Sequence, residues 1–346
     1  MPPPNSYQPL RMGAAVPPTC RDTAMARLQI VWSLLRDAVR EWVENKVLRL
    51  AAALAYYALF SLAPLLVLAV AVVGAVVGES AAESQVVMQL RGLAGDVAAQ
   101  AVGELLGGRN AFADDLSTTA ISIVGLLIGA SALFNHLKDS LNVIWQVAPH
   151  PGRPLWRWVV DRLLALLMVL CVAVIALTGF GLSVELTALV RALMGSAPGS
   201  LPWYAVSGVQ IAFALLSATL VVALTYRLLP DTHIAWRDIW IGASVTALLI
   251  VASQALIGLY LRSSQLGTAY SAVGAAVVLL IWSYYSAVVF FFGAEITWVY
   301  ANRYGSRITP AEHAVALTAE DRAAQGMLRS AEVAAVAQGQ QLPPDE

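Results

Sequence analysis

The chain has 346 residues, of which 59% are hydrophobic and 12% charged, and its mean hydropathy is +0.69; soluble domains average roughly half apolar and a quarter charged. An ordinary soluble domain is therefore excluded, and the chain falls in the membrane class. Its net charge of −1, with no dense basic patch, argues against a nucleic-acid partner, and the widely separated Cys20 and Cys171 make neither a disulfide framework nor a metal pair.

Residues 1–23 are rich in Pro and polar side chains (MPPPNSYQPL, then VPPTC) and read as a disordered cytoplasmic lead. They lack the short apolar core and cleavage site of a signal peptide, so the first span is expected to direct insertion. From Ala24 to Lys46, apolar residues recur at Leu28, Val31, Trp32, Leu35, Val39, Trp42 and Val43, with Arg36, Asp37, Arg40, Glu41 and Glu44 between them. This is helical periodicity. It suits a helix lying in the membrane interface, although packing against the ends of other spans gives the same pattern.

A membrane domain is expected over 24–305, all-α, with six spans and amphipathic interfacial helices. The first span covers about 50–77. Pro64 predicts a kink near Ala63, and Ser61 is placed to satisfy a freed backbone group. Tyr56 and Tyr57 are open to two readings, interfacial tyrosines or a polar cavity wall. Between spans, Val86, Leu90, Leu93, Val97, Ala101 and Leu105 predict an amphipathic cover ending at Gly107 and Gly108; Asp114 and Asp115 read as solvated loop acids.

The second span, about 117–134, carries GLLIG at Gly125 to Gly129, a small-residue packing face within one bundle or between copies of a homo-oligomer. Beyond it Phe134, Leu137, Leu141, Ile144 and Trp145 interleave with Asn135, His136, Lys138, Asp139 and Asn142, which continues the helix as an amphipathic segment until PHPGRP at 149–154 breaks it. His136 reads as a surface imidazole, since no second ligand stands at metal spacing. The third span is about 158–182, the fourth about 204–229 and the fifth about 239–261, where Gln254 would seek an interhelical partner. The tail, 306–346, is expected to be cytoplasmic and mobile apart from a helix around Ala311 to Arg329.

The sixth span, 270–300, organises the rest. Thr268 to Ala294 holds no formal charge, enough to cover the ~30 Å hydrocarbon core, and it ends on Glu295, followed by Trp298, Tyr300, Arg303 and Arg307. An acid inside a span is costly and marks a functional site by default, whereas at headgroup level it is an interfacial acid paired with a cation; both readings stand. With the N-terminus inside, the inner segments hold all of the 21 Lys and Arg except Arg91, Arg109, Arg191 and Arg262. Both termini are therefore expected to be cytoplasmic.

Four segments carry a resemblance: AAALAYYALFSLAPLL at 51–66, LFNHLKDSLNVIW at 133–145, LLPDTHIAWRDIWIGA at 228–243, and 267–300 with Tyr270, Gly293, Ala294 and Glu295. With these the chain resembles the YihY/BrkB family of bacterial inner-membrane proteins, historically called ribonuclease BN, over about 30–305, leaving out the first 25 residues and the tail after Pro310. The resemblance implies a six-helix protein with links to envelope integrity and serum resistance and to the movement of lipids or amphiphiles. It carries no catalytic residues. Its motif positions here are Tyr56, Ser61, Pro64, Asn142, Trp145, Pro230, Trp236, Arg237, Gly242 and Glu295.

Three functions follow. A transporter or translocator of a lipid or other amphiphile would use Glu295, Tyr56, Tyr57, Ser61, Pro64, Gln254, Ser283, Tyr284 and Tyr285 along its path, with Arg49, Lys138 or Arg237 pairing Glu295, which would carry a proton or bind a cationic headgroup. A nuclease would need clustered metal ligands or an acid and base pair, whereas His136, His150, His233 and His313 are scattered, and neither GxSxG nor a Walker A sequence occurs. No enzyme activity, metal or cofactor is therefore expected, and the partners expected are membrane lipids. The alternative is a non-catalytic envelope scaffold.

Overall fold

The computed structural model describes residues 20–61, 78, 80, 83, 84, 87, 88, 103, 116–150, 202–263, 272–324, 326 and 327. The Pro64 kink, the third span at 158–182, Asp114, Asp115 and most of the 78–117 segment lie outside the described residues, as does the side chain of Gln254.

The amphipathic N-terminal pattern forms α1, Cys20–Glu44. At Lys46 the backbone turns left-handed, φ 50°, and the Lys46 amide donates to the Val43 carbonyl at 3.1 Å. That is a helix stop. Helix resumes at once as α2, Val47–Ser61, because the amides of Arg49 and Leu50 both donate back to the Lys46 carbonyl. Asn45 and Lys46 thus form an elbow between an amphipathic helix and an apolar one.

Helix α3, Leu116–Ile144, joins the expected second span to its amphipathic extension without a break. It ends at Gln146, again left-handed with φ 59°. The segments expected as the fourth, fifth and sixth spans are the helices α4, Pro202–Leu228, α5, Trp236–Ser263, and α6, Ala272–Tyr304. Each is long and apolar enough to cross a membrane, over 211–228, 236–253 and 279–304. Their outward positions Ile211, Leu216, Val245, Leu248, Val277 and Leu280 are exposed, as expected for side chains that meet lipid.

Helices α5 and α6 run antiparallel and touch through reciprocal notches. A Cβ on Gly242 would lie 2.1 Å from Thr297 Oγ1, and one on Gly293 would lie 2.1 Å from Thr246 Oγ1. Each threonine also donates to a carbonyl on its own helix, Thr246 to Gly242 and Thr297 to Gly293, both at 2.8 Å. Glycine is required because any side chain would occupy the space of the opposing threonine. The core lies where α2 to α6 converge, built on Val47, Leu141, Trp145, Val222, Tyr226 and Phe291.

The tail departs from expectation. Residues 311–329 do not form one helix: strand β4, Ala314–Ala316, pairs antiparallel with β1, Val147–Pro149, and β3, Thr309–Pro310, pairs with β2, Thr232–His233. Among the described tail residues only α7, Ala319–Ala324, is helical. Alanine favours helix, but here edge pairing to two loops at the end of the bundle outweighs local propensity. Lys46 Nζ donates to the Gly326 carbonyl, and Met327 is buried, so this strap reaches the α1–α2 elbow as well.

Candidate functional site

Glu295 is fully buried. Its Oε1 accepts a hydrogen bond from Asn45 Nδ2 at 2.8 Å, so this acid of α6 holds the elbow between α1 and α2. Neighbouring turns of α6 are held the same way. Tyr226 Oη donates to the Phe290 carbonyl at 2.9 Å, and Trp145 Nε1 donates to the Ala294 carbonyl at 3.3 Å. A polar collar thus surrounds α6 near one end, with its donors satisfied by backbone and carboxylate oxygens, which burial in an apolar bundle demands.

Further along α6 lies a cavity of about 330 Å³. Leu54 and Ala58 of α2, Leu133 and Phe134 of α3, Ile250 of α5 and Phe290 of α6 form its apolar walls, and the hydroxyls of Thr225, Ser283 and Ser286 are its polar groups beside the Trp282 indole. The Thr225 hydroxyl is already turned to the Val221 carbonyl at 2.8 Å. A hydrocarbon chain suits such walls better than a charged group does.

A second polar centre joins the strap to the bundle. Asp231, between α4 and α5, is buried and receives Lys138 Nζ at 3.1 Å and His313 Nε2 at 2.9 Å. Asn142 clamps it from both sides, donating through Nδ2 to Asp231 Oδ2 at 3.2 Å and accepting from the Asp231 amide at 2.9 Å. Next to it, buried Asp238 takes both the amide and the hydroxyl of Ser306, at 2.7 and 2.8 Å. Among the described residues, no three His, Cys, Asp or Glu side chains are grouped to hold a metal. On α1, the hydrogen bond that Arg40 Nε donates to Glu44 at 3.0 Å holds the Arg40 guanidinium above its ordinary pKa.

The sequence profile of the family described as virulence factor BrkB matches residues 38–318. The chain belongs to the BrkB family. The match runs beyond residue 305 and takes in the strap strands and His313, so the tail as far as Thr318 is family sequence. Similar proteins are the UPF0761 membrane proteins of Verminephrobacter eiseniae, 31% identical over 50% of this chain and 39% of that protein, of Rhodospirillum centenum, 28% over 78% and 58%, and of Pseudoalteromonas translucida, 27% over 78% and 88%. The chain spans about two fifths and three fifths of the first two relatives. No solved structure matches. The chain is thus a mostly helical membrane protein of this family.

Within this BrkB-family bundle the expected path residues are dispersed. Tyr56 is 57% exposed and stacks on Phe60 on the outer surface of α2. Tyr57 packs on the His136 ring at 5.3 Å, and His136 is half-buried and bonds the Leu50 carbonyl at 3.1 Å, so it is no surface imidazole. Ser61 donates to the Ala58 carbonyl, Tyr284 packs against the core and Tyr285 is half-buried; none of these, nor Glu295, lines the cavity, whereas Ser283 does. Of the expected cations, Lys138 sits on Asp231, while Arg49 and Arg237 are exposed. Sequence reasoning missed Asn45 and the Asp231 centre; the one available signal was the LLPDTH segment together with Asn142.

Proposed function

We propose that this BrkB-family protein is a translocator of a lipid or similar amphiphile in a bacterial inner membrane, with six spans, both termini cytoplasmic and a role in envelope integrity. The observation that carries the reading is the cavity: about 330 Å³ falls within the range of small-molecule sites. Its apolar walls and few hydroxyls favour an acyl chain over a headgroup or ion. On this reading the protein is a carrier and not an enzyme, its partners are membrane lipids rather than nucleic acid, and Glu295 braces the bundle instead of lining the path.

Translocation of fluorescent phospholipids in proteoliposomes tests it, comparing wild type, Ala58→Trp and an unrelated polytopic membrane protein. Wild-type flipping above the unrelated protein, abolished by the tryptophan that fills the cavity, is the expected result. Equal background rates in all three would remove lipid translocation and leave the non-catalytic scaffold.

A further inference from the structure

Most of the apolar face of α1 is turned away from the protein. Trp32 is 71% exposed, Val43 61%, Val31 52%, Val39 47% and Leu35 39%, and at ~100° per residue these five fall on one side of the helix. Packing instead uses Ala38, which is fully buried against Ile296 and Val299 of α6 with Leu34 beside it.

Contacts on the flanking sides fix how α1 is rotated. Asp37 accepts from Arg303 Nη1 at 2.6 Å, so the charged side of α1 looks toward the terminal turn of α6. On the other flank Trp42, at the edge of the apolar stripe, packs against the core that holds Phe291 and Ala294, which lie back toward the middle of α6. The apolar side of α1 is therefore turned toward the level at which α6 is surrounded by hydrocarbon, and the charged side toward its polar end.

From this we infer that α1 is an in-plane membrane helix, its apolar stripe sunk into the acyl boundary of one leaflet and its charged side at the aqueous surface. The partner is a lipid monolayer. Charge does not do the anchoring: Arg21, Arg27, Arg36 and Arg40 of α1 are matched by Asp22, Asp37, Glu41 and Glu44, so the helix carries no net charge. Apolar area alone holds such a helix, in contrast to polybasic segments that need anionic headgroups. The inference does not rest on translocation. It places the membrane surface on α6 between Ile296 and Arg303, with Glu295 just inside it and the Asp231 centre on the aqueous side.

Nitroxide labels report this directly. In a Cys20→Ser, Cys171→Ser background, Val39→Cys, Val43→Cys and Arg36→Cys are labelled singly and reconstituted in full-length protein, in phosphatidylcholine vesicles with and without phosphatidylglycerol. The expected result is collision with oxygen at 39 and 43, collision with a water-soluble nickel chelate at 36, and the same contrast in both lipids. Chelate access at 39 and 43 would put that face in water, and protection from both reagents would put it against protein, as in a second copy; either overturns the assignment. Oxygen access that appears only with phosphatidylglycerol would overturn charge-independent anchoring.

Discussion

Asn45 and Glu295, 250 positions apart, meet through one hydrogen bond of 2.8 Å in the interior of the bundle. Because Asn45 is the corner between α1 and α2, the Glu295 side chain on α6 fixes the angle between those two helices. The bond matters for what it positions as much as for its own strength.

Glu295→Gln retains an oxygen acceptor for Asn45, and thermal unfolding in detergent is expected to shift by less than about 1 kcal/mol, with lipid flipping preserved. Glu295→Ala removes the acceptor and leaves a hole, for an expected loss of about 2–3 kcal/mol. Loss of flipping in Glu295→Gln at unchanged stability would return the acid to the transport path.

The notch between α5 and α6 makes Gly293→Ala costly, since the new methyl must displace Thr246, at 2.1 Å. Overpacking of this kind costs about 1–3 kcal/mol. Thr246→Gly relieves the clash, so a double-mutant cycle is expected to show the pair less destabilised than the sum of the singles, with a coupling on the order of 1 kcal/mol. Strict additivity would contradict the contact.

Asp231→Ala removes the acid shared by Lys138, His313 and Asn142. Stranding buried charges costs about 3–5 kcal/mol. Hydrogen exchange is expected to rise first across 309–317, the strands that this centre pins. Unchanged protection there would show that strand pairing alone holds the strap.

Filling the cavity from a hydroxyl position separates stability from transport. Ser286→Leu replaces a polar wall group by an apolar one and is expected to raise stability by about 0.5–1 kcal/mol while flipping falls, the usual trade between a well-packed interior and a working site. Falling stability together with intact flipping would place the route elsewhere.

Periodicity carried much of the fold. The apolar run before Glu295 gave α6, and the spacing of Leu28 to Val43 gave α1 to within a few residues. Contacts were out of reach. Nothing local to Glu295 points to Asn45, and a lone Asp231 in a loop looks solvated until His313 arrives from the far end of the chain. Strands of two or three residues, such as Thr232–His233, are too short to show alternation, so the Ala-rich tail read as helix. The two GxxxT spacings, Gly242 to Thr246 and Gly293 to Thr297, become informative only when laid against each other in opposite directions.

That antiparallel fit leaves α5 and α6 a single register. A slip of one helical turn in one direction sets Thr246 against Thr297, and in the other against Val289, with no glycine to receive it. The two helices therefore behave as one fixed jaw. That jaw presents Ile250 and Phe290 to the cavity, across from Ala58 of α2 and Leu133 of α3.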